Sequence, residues 1–587
     1  MRLPKATLAY VVLCLGVAAL LVAPAFAQQN DSARVGLPHD WSHHHVIFTD
    51  NAPPDIVAHP QLAQQLRNDP RFLAHVIKSH ARRHHDHGKS KGRKDKPKID
   101  WSISLGSGST PLNQYPAKYT FDITAPLIAL TNCPNDYVVF PINVPGSSTQ
   151  PNIAGFNYLY SGGTTGPEGL CNGVTPATPA VTGSTYSAAV YFSYNVNAIG
   201  GAVLTSPVIS LDGTKIAFVE SKSGTAPHFH VLAFKAGDGF LSGSPTSVAS
   251  PVGITSFVSA QPTAVLTAQA TDLSYSSGCT AGNGNSNSSP FVDYTNDVAW
   301  VGDDCGNLIK LQHIFTTAAP TADSTFNGGN PFVVCSGHKT TGPVYDFNTG
   351  DVLMGCDDGN MYRIIPGTPS VASLNGGGSG TNLTNQGGVS DSPLVDSGNG
   401  YVYWTHPDDG LEAYVAQVKD IINFDTVANT VPIGTNNVAP VHAPAFNDAY
   451  FSSGVPSNWE LFACGFTSPG NAPELYGVSF NVQKTIAAAT GDTHGISSTA
   501  GAQCSPITEF LGAGGTDRIF FGINSGEVDM FDVTIFDGSQ TASSQPESGG
   551  TSGIIVDNNS ASANASSFYF STLTGHAAVK LTQSALQ

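Results

Sequence analysis

An all-β fold is predicted by three features of this sequence. Charged residues make up only 12% of the 587, while glycine (62) and proline (39) are abundant. Short runs rich in Val, Phe, Tyr, Ser and Thr alternate with polar turns, the composition of strands joined by loops. A strand–turn–strand unit also recurs through the body, starting at Ala125-Pro126, Ser206-Pro207, Ser289-Pro290, Gly342-Pro343, Ser392-Pro393, Ala443-Pro444 and Ser505-Pro506, with a proline-free copy at Gly553 to Asp557. Repeats of roughly 50 residues with several strands each indicate propeller blades. Eight blades of four antiparallel strands are expected, with seven as the alternative if the first copy is an insertion.

Each part of the repeat has a physical reason. Ser289-Pro290-Phe291-Val292-Asp293 leads to Val298–Gly302, then Asp303-Asp304-Cys305-Gly306, then Asn307–Leu311. The copy at Gly342 runs through Val352–Gly355, Asp357-Asp358-Gly359 and Met361–Ile364. Proline suits the entry of an inner strand, where a missing ladder N–H costs little. The acid–Gly turns supply the positive φ angles that tight hairpins need. In the first blade, strands are expected at Ala125–Ala129, Tyr137–Asn143, Ile153–Tyr160 and Ala188–Tyr194. The last copy runs out after three strands, and Lys118–Ile123 is expected to supply the fourth, covering an exposed edge.

This S-P-x-x-D, V-x-W/F-x-G, D-D-G, L/M-Y-x-I pattern resembles the PQQ-like repeats of the quinoprotein alcohol dehydrogenase-like propellers, related in type to WD40 and YVTN repeats. The resemblance covers residues 118–585. Asp40-Trp41-Ser42-His43-His44-His45 and Tyr115-Pro116-Ala117-Lys118-Tyr119 also resemble a group of secreted soil-bacterial propellers of unassigned function. The family's enzymes bring a vicinal Cys–Cys pair and a tryptophan floor to pyrroloquinoline quinone. Here no two cysteines are adjacent, and Trp41, Trp101, Trp300, Trp404 and Trp459 form no repeated W-D pattern. A quinone dehydrogenase is disfavoured, and no bound cofactor is expected.

Three regions follow along the chain. Residues 1–27 read as a signal peptide: Arg2 and Lys5, an apolar run from Ala6 to Val22, and the cleavage site Ala25-Phe26-Ala27. The mature protein is therefore expected to be secreted or periplasmic, without a membrane span. Residues 28–100 read as a flexible, partly helical arm, with a helix starting at Asp69-Pro70. Residues 101–587 form the propeller.

The arm is basic and the body acidic: only 11 of the 25 Lys and Arg follow residue 100, against 35 of the 43 Asp and Glu. An acidic body lacks the basic footprint of a nucleic-acid binder. Ten of the 18 histidines fall in the arm. Neutral imidazoles bind borderline metals, so His43, His44, His45, His84, His85 and His87 are candidates for loose capture of Zn, Cu or Ni. The competing role is a solvated, partner-binding arm, since a defined site needs ligands held in geometry. The acid pairs Asp303/Asp304, Asp357/Asp358 and Asp408/Asp409 have the chemistry for Ca²⁺, but their repeat position makes them turn formers first.

Eight cysteines remain after Cys14, an even number for an oxidising compartment and without C-x-x-C spacing. Strand order places Cys279 and Cys305, and Cys335 and Cys356, at the start of a first strand and the end of a second, on one face. Cys464 and Cys504 share that face across two blades, and Cys133 and Cys171 share the other. The expected pairs are Cys133–Cys171, Cys279–Cys305, Cys335–Cys356 and Cys464–Cys504.

No G-x-S-x-G elbow or H-E-x-x-H helix is present. His228 and His230, with Glu220 opposite, have acid–base chemistry, as do His406, His442 and His494 if loops gather them over the channel. Two functions follow. The first is a non-catalytic propeller binding a protein or polysaccharide surface. The second is a carbohydrate-active lyase or hydrolase with its site at the channel mouth.

Overall fold

The computed structural model describes residues 36–49, 66, 69–84 and 98–582, apart from 122–131, 163–170, 172–186, 264–266, 277–284, 376–387, 408–411, 425–428, 435–439, 468–470, 558–566 and a few single positions. Eight sheets follow one another in chain order, as the eight blades of a propeller. Blade 3 shows the plan: Phe291–Asp293, Val298–Gly302, Asn307–Gln312 and Thr321–Ala322 run from the inside outward. Blades 4 to 7 repeat it, with inner strands at Val344–Tyr345, Leu394–Asp396, Ala445–Phe446 and Thr508–Leu511. Blade 2 starts at Val208–Ile209.

In four blades a hydroxyl before the inner strand explains the Ser or Thr of the repeat. Ser288 accepts the Gly302 N–H, Thr341 that of Gly355, Ser505 that of Gly522 and Ser552 that of Ser571, all at 2.9–3.0 Å. Each bond ties the end of a second strand to the entry of the first. At the other end of the inner strand, Asp293 accepts the N–H groups of Thr295 and Asn296, and Asp396 those of Gly398 and Asn399. The aspartate of S-P-x-x-D therefore shapes the following turn, an ordinary role for this side chain.

Two strand assignments differ from expectation. The first blade opens at Ala117–Thr120 and continues through Tyr137–Pro141, Ile153–Asn157 and Ala189–Val196. Its proline is Pro116, behind an aromatic Tyr115 that disguised the copy; Ala125–Ala129 lies outside the described residues. With Lys118–Thr120 already in blade 1, ring closure falls to Lys98–Ser104. This strand pairs antiparallel with Ala577–Thr582 and completes blade 8 beside Ser567–Thr572 and Ile555–Asp557. Trp101 and Ile103 on it are buried, so apolar packing reinforces the closure.

Residues Gly36–Thr49 also depart from the flexible arm. Leu37–His39 adds to the inner edge of blade 1, antiparallel to Lys118–Thr120. Val46–Ile47 adds parallel to Val395–Asp396 on the inner edge of blade 5. Blades 1 and 5 are opposite in a ring of eight, so Asp40–His45 crosses the central channel. The helix expected from Asp69-Pro70 is present as Pro70–His84, and the Asp69 side chain accepts the Arg71 N–H at its start.

Disulfides join Cys133–Cys171, Cys335–Cys356 and Cys464–Cys504. Cys305 is disulfide-bonded too, and its expected partner, Cys279, lies outside the described residues. No helix among the described residues is long and apolar enough to cross a membrane.

Candidate functional site

The inner strands of a propeller converge on its channel, a common place for ligand sites. Here the channel holds its own chain. Trp41 is 2% exposed, donates its indole N–H to the Pro290 carbonyl at 3.0 Å and meets Phe291 edge-on. His44 Nε2 is 3.1 Å from the Ile554 carbonyl, and His45 Nδ1 is 3.2 Å from that of Pro393. The crossing segment thus bonds to the entries of blades 3, 5 and 8. These carbonyls sit just before the inner strands Phe291–Asp293, Leu394–Asp396 and Ile555–Asp557, and that of Ile554 also accepts the Thr508 hydroxyl.

Arg71 locks the segment from one side. Its guanidinium forms a two-point pair with Asp69 (2.6 and 2.8 Å), donates to the Ser42 hydroxyl and the Val292 carbonyl, and lies 4.1 Å over the Phe291 ring. Both charges are buried, with side chains 1% exposed. A buried ion pair is tolerable only when its remaining hydrogen bonds are satisfied, and here Arg71 has four acceptor contacts.

Against the plug lies a polar cavity of about 40 Å³, lined by Trp41, His45, Gln114, Tyr115, Ser289 and Asp391, among others. That is room for a few waters. Gln114 organises its wall: its carbonyl accepts from Ser206 and Ser289, while its amide donates to the Asn287 carbonyl. Asp391 accepts the N–H groups of Ser392 and Ala443, and its carboxylate lies 3.6 Å from His442 Nδ1. Three buried groups here lack a hydrogen-bond partner among the described residues: the Tyr115 hydroxyl, His45 Nε2 and the His442 ring nitrogens. Burial, aided by the Asp391 charge, pushes the Tyr115 phenol well up, and burial lowers the His45 imidazole.

The histidines expected to capture metal point in different directions. His43 faces Asp40 and stacks on His39 at 4.3 Å, His44 stacks on Tyr115 at 4.8 Å, and His45 faces blade 5. Among the described residues no group of three His, Cys, Asp or Glu is arranged to hold a metal ion. His84 ends the helix, and His85 and His87 lie outside the described residues. Of the acid pairs, Asp303 accepts the Cys305 and Asn307 N–H groups and Asp358 that of Asn360, shaping their turns; Asp408 and Asp409 lie outside the described residues.

Away from the channel, His230 Nε2 is 3.1 Å from Glu220, and His228 Nδ1 is 2.7 Å from Asp272. The Glu220 carboxylate also accepts the Ala198 and Gly201 N–H groups. Burial works to raise this carboxyl, but the His230 bond and these N–H groups hold it below the usual range. With both side chains of the His230–Glu220 pair fully buried, the pair pins a loop to blade 2. His406 is buried and stacked on Tyr414, and His494 is half exposed beside Asp492. Of the three histidines considered for the channel, His442 lies beside Asp391, which lines the cavity. Sequence reasoning missed Gln114, Tyr115 and Asp391, whose one signal is position beside a blade-entry proline.

No protein-family model matches this chain, and no curated protein does. Solved structures similar to it include two of Sqt1 from Chaetomium thermophilum. One is 12% identical, covering 77% of this chain and 93% of that one, with a TM-score of 0.41; the other is 9% identical, covering 82% and 99%, at 0.42. The WD40 β-propeller domain of Doa1 is 14% identical, covering 64% and 91%, with a TM-score of 0.32.

Proposed function

We propose that this chain is a secreted or periplasmic, non-catalytic β-propeller that presents its loops to a macromolecular partner, a protein or polysaccharide surface. The observation that carries this reading is the channel filled by residues 37–47. A ring whose centre is occupied by its own hydrogen-bonded, aromatic segment is a rigid platform, and its outward loops are the surface left for recognition. The disulfides fit an oxidising compartment. The blades are assigned to the PQQ-like repeat type on their S-P-x-x-D and D-D-G pattern, as a scaffold without its quinone chemistry. Loose capture of Zn, Cu or Ni is assigned to His84, His85 and His87.

One observation favours the second reading, a carbohydrate-active lyase or hydrolase. Tyr115, His45 and His442 gather around Asp391 beside the channel segment, a set with acid–base chemistry. One experiment separates the two. The protein is incubated with purified envelope polysaccharides, following cosedimentation and release of new sugar ends. Saturable cosedimentation without new ends supports the platform. Release of new ends that is lost in Tyr115→Phe and Asp391→Asn overturns it in favour of the enzyme.

A further inference from the structure

The two ends of the propeller meet at a buried cluster of charges that the channel does not involve. Lys580, on the last strand, and Lys118, on the inner strand of blade 1, are 0% and 1% exposed. Lysine is rarely buried so fully. Lys580 Nζ lies 2.8 Å from Asp100 Oδ2, and Lys118 Nζ lies 3.0 Å from Asp557 Oδ2. Both amines are 5.9 Å from the centre of the Tyr160 ring. Tyr569 directs its hydroxyl at Asp557, and Tyr160 directs its own at Asp136.

Asp100 reaches this cluster through a fault in the sheet. The pairing of Lys98–Ser104 with Ala577–Thr582 slips between Ile99 and Trp101, leaving Asp100 as the extra residue. A bulge re-aims a side chain, and this one turns the carboxylate inward toward Lys580. The Thr582 hydroxyl bonds the same oxygen. Amine and carboxyl are thus held in contact, out of water, on neighbouring strands from opposite ends of the chain.

We propose that Lys580 and Asp100 condense into an intramolecular isopeptide bond that seals the ring covalently. The ion pair first passes its proton from the Lys580 ammonium to the Asp100 carboxylate, giving an amine and a carboxylic acid. The Nζ lone pair then adds to Asp100 Cγ. Asp557, paired with Lys118 and near enough for its charge to act on Lys580, takes a proton from the attacking nitrogen and returns it to the leaving hydroxyl. The Nζ–Cγ bond forms, the Cγ–O bond breaks and one water leaves, with Asp557 regenerated.

Three features support the step. Burial holds the Lys580 amine below its usual range, against the opposing pull of Asp100, which favours the nucleophilic form. Reaction replaces two buried charges by a neutral amide, removing the desolvation cost that each ion carries. Holding the reactants in contact gives effective molarities on the order of 10⁵–10⁸ M in well-oriented cases. The link would join the strands whose pairing closes the propeller.

The test is peptide mapping of the full-length chain after reduction and alkylation. The expected result is a branched peptide joining the segments that contain Asp100 and Lys580, lighter than their sum by one water. Recovery of both residues in linear, unmodified peptides overturns the proposal, as does a link at Lys118 and Asp557 instead. Lys580→Arg should abolish the branched peptide. Asp557→Asn, close in size to the native residue, should leave both peptides linear in a chain whose disulfide map shows it folded. An undiminished link in that folded variant overturns the role of Asp557 as proton carrier.

Discussion

Arg71→Ala should release the channel segment, and the size of the effect follows from its contacts. The substitution strands the Asp69 carboxylate, 1% exposed, without its cation. It also removes the bonds to Ser42 and Val292 and the cover of Phe291. Removing one partner of a buried ion pair costs about 3–5 kcal/mol. At about 1.4 kcal/mol per factor of ten, the opening equilibrium of the segment should rise roughly 10²–10³-fold or more. Hydrogen exchange read at residues 42–47 measures it, because His43 and His44 donate to Asp40 and Trp41 while Val46–Ile47 pairs with blade 5. Asp69→Asn combined with Arg71→Met removes both charges and should recover much of the loss. Exchange in Arg71→Ala equal to that of the parent chain would refute the clamp.

The remaining predictions concern pH, closure and cross-linking. Burial lowers His39 and His45 and pushes His44 down to about 3, so their contribution is present above about pH 6.5 and lost as pH falls toward the folded values. Burial raises Glu460, Asp529 and Glu547 to about 7, so theirs is full below about pH 4 and lost as pH rises through 7. Lowering the pH from about 7.5 to 5 should therefore loosen residues 42–47 while tightening the strands Glu460–Phe466 and Glu527–Asp532 in hydrogen exchange; a parallel change in all three sinks the idea. Deleting residues 28–97 should leave a folded ring, whereas deleting 28–104 should not, and equal melting temperatures for the two would count against Lys98–Ser104 as the closing strand. Cys464→Ser with Cys504→Ser opens a loop of sequence separation 40 and should cost about 4 kcal/mol on the chain-entropy model, read by denaturant titration; a change below about 1 kcal/mol would show that this loop is held by other contacts.

Most blades were readable because they declare themselves locally: a proline at the entry, an acid–Gly turn in several, and apolar strands between them. The pairs Cys133–Cys171, Cys335–Cys356 and Cys464–Cys504 followed from strand order alone. The channel segment was not readable, because what satisfies it is distant. Trp41, His44 and His45 bond to carbonyls of Pro290, Ile554 and Pro393, partners that no local periodicity announces, so a His-rich stretch resembles a solvated arm. The closing strand did carry alternation at Trp101, Ile103 and Leu105. The bulge at Asp100 broke the pattern at the arm's assigned boundary, and Lys118–Ile123 offered a cleaner strand. Beside the channel segment, Tyr115 replaced the small residue expected before a blade-entry proline, which hid both the first blade and a member of the site.

The central claim is that the chain fills its own channel, and a paired substitution tests it most directly. Val46 and Val395 face each other across the parallel pairing with blade 5, and both are buried. Val46→Cys with Val395→Cys places two thiols on neighbouring strands, within the separation that a disulfide spans. Mild oxidation followed by non-reducing peptide mapping should give a new link between positions 46 and 395, with the native Cys133–Cys171, Cys335–Cys356 and Cys464–Cys504 pairs retained. Free thiols at both positions in a chain that keeps those native pairs would contradict the filled channel.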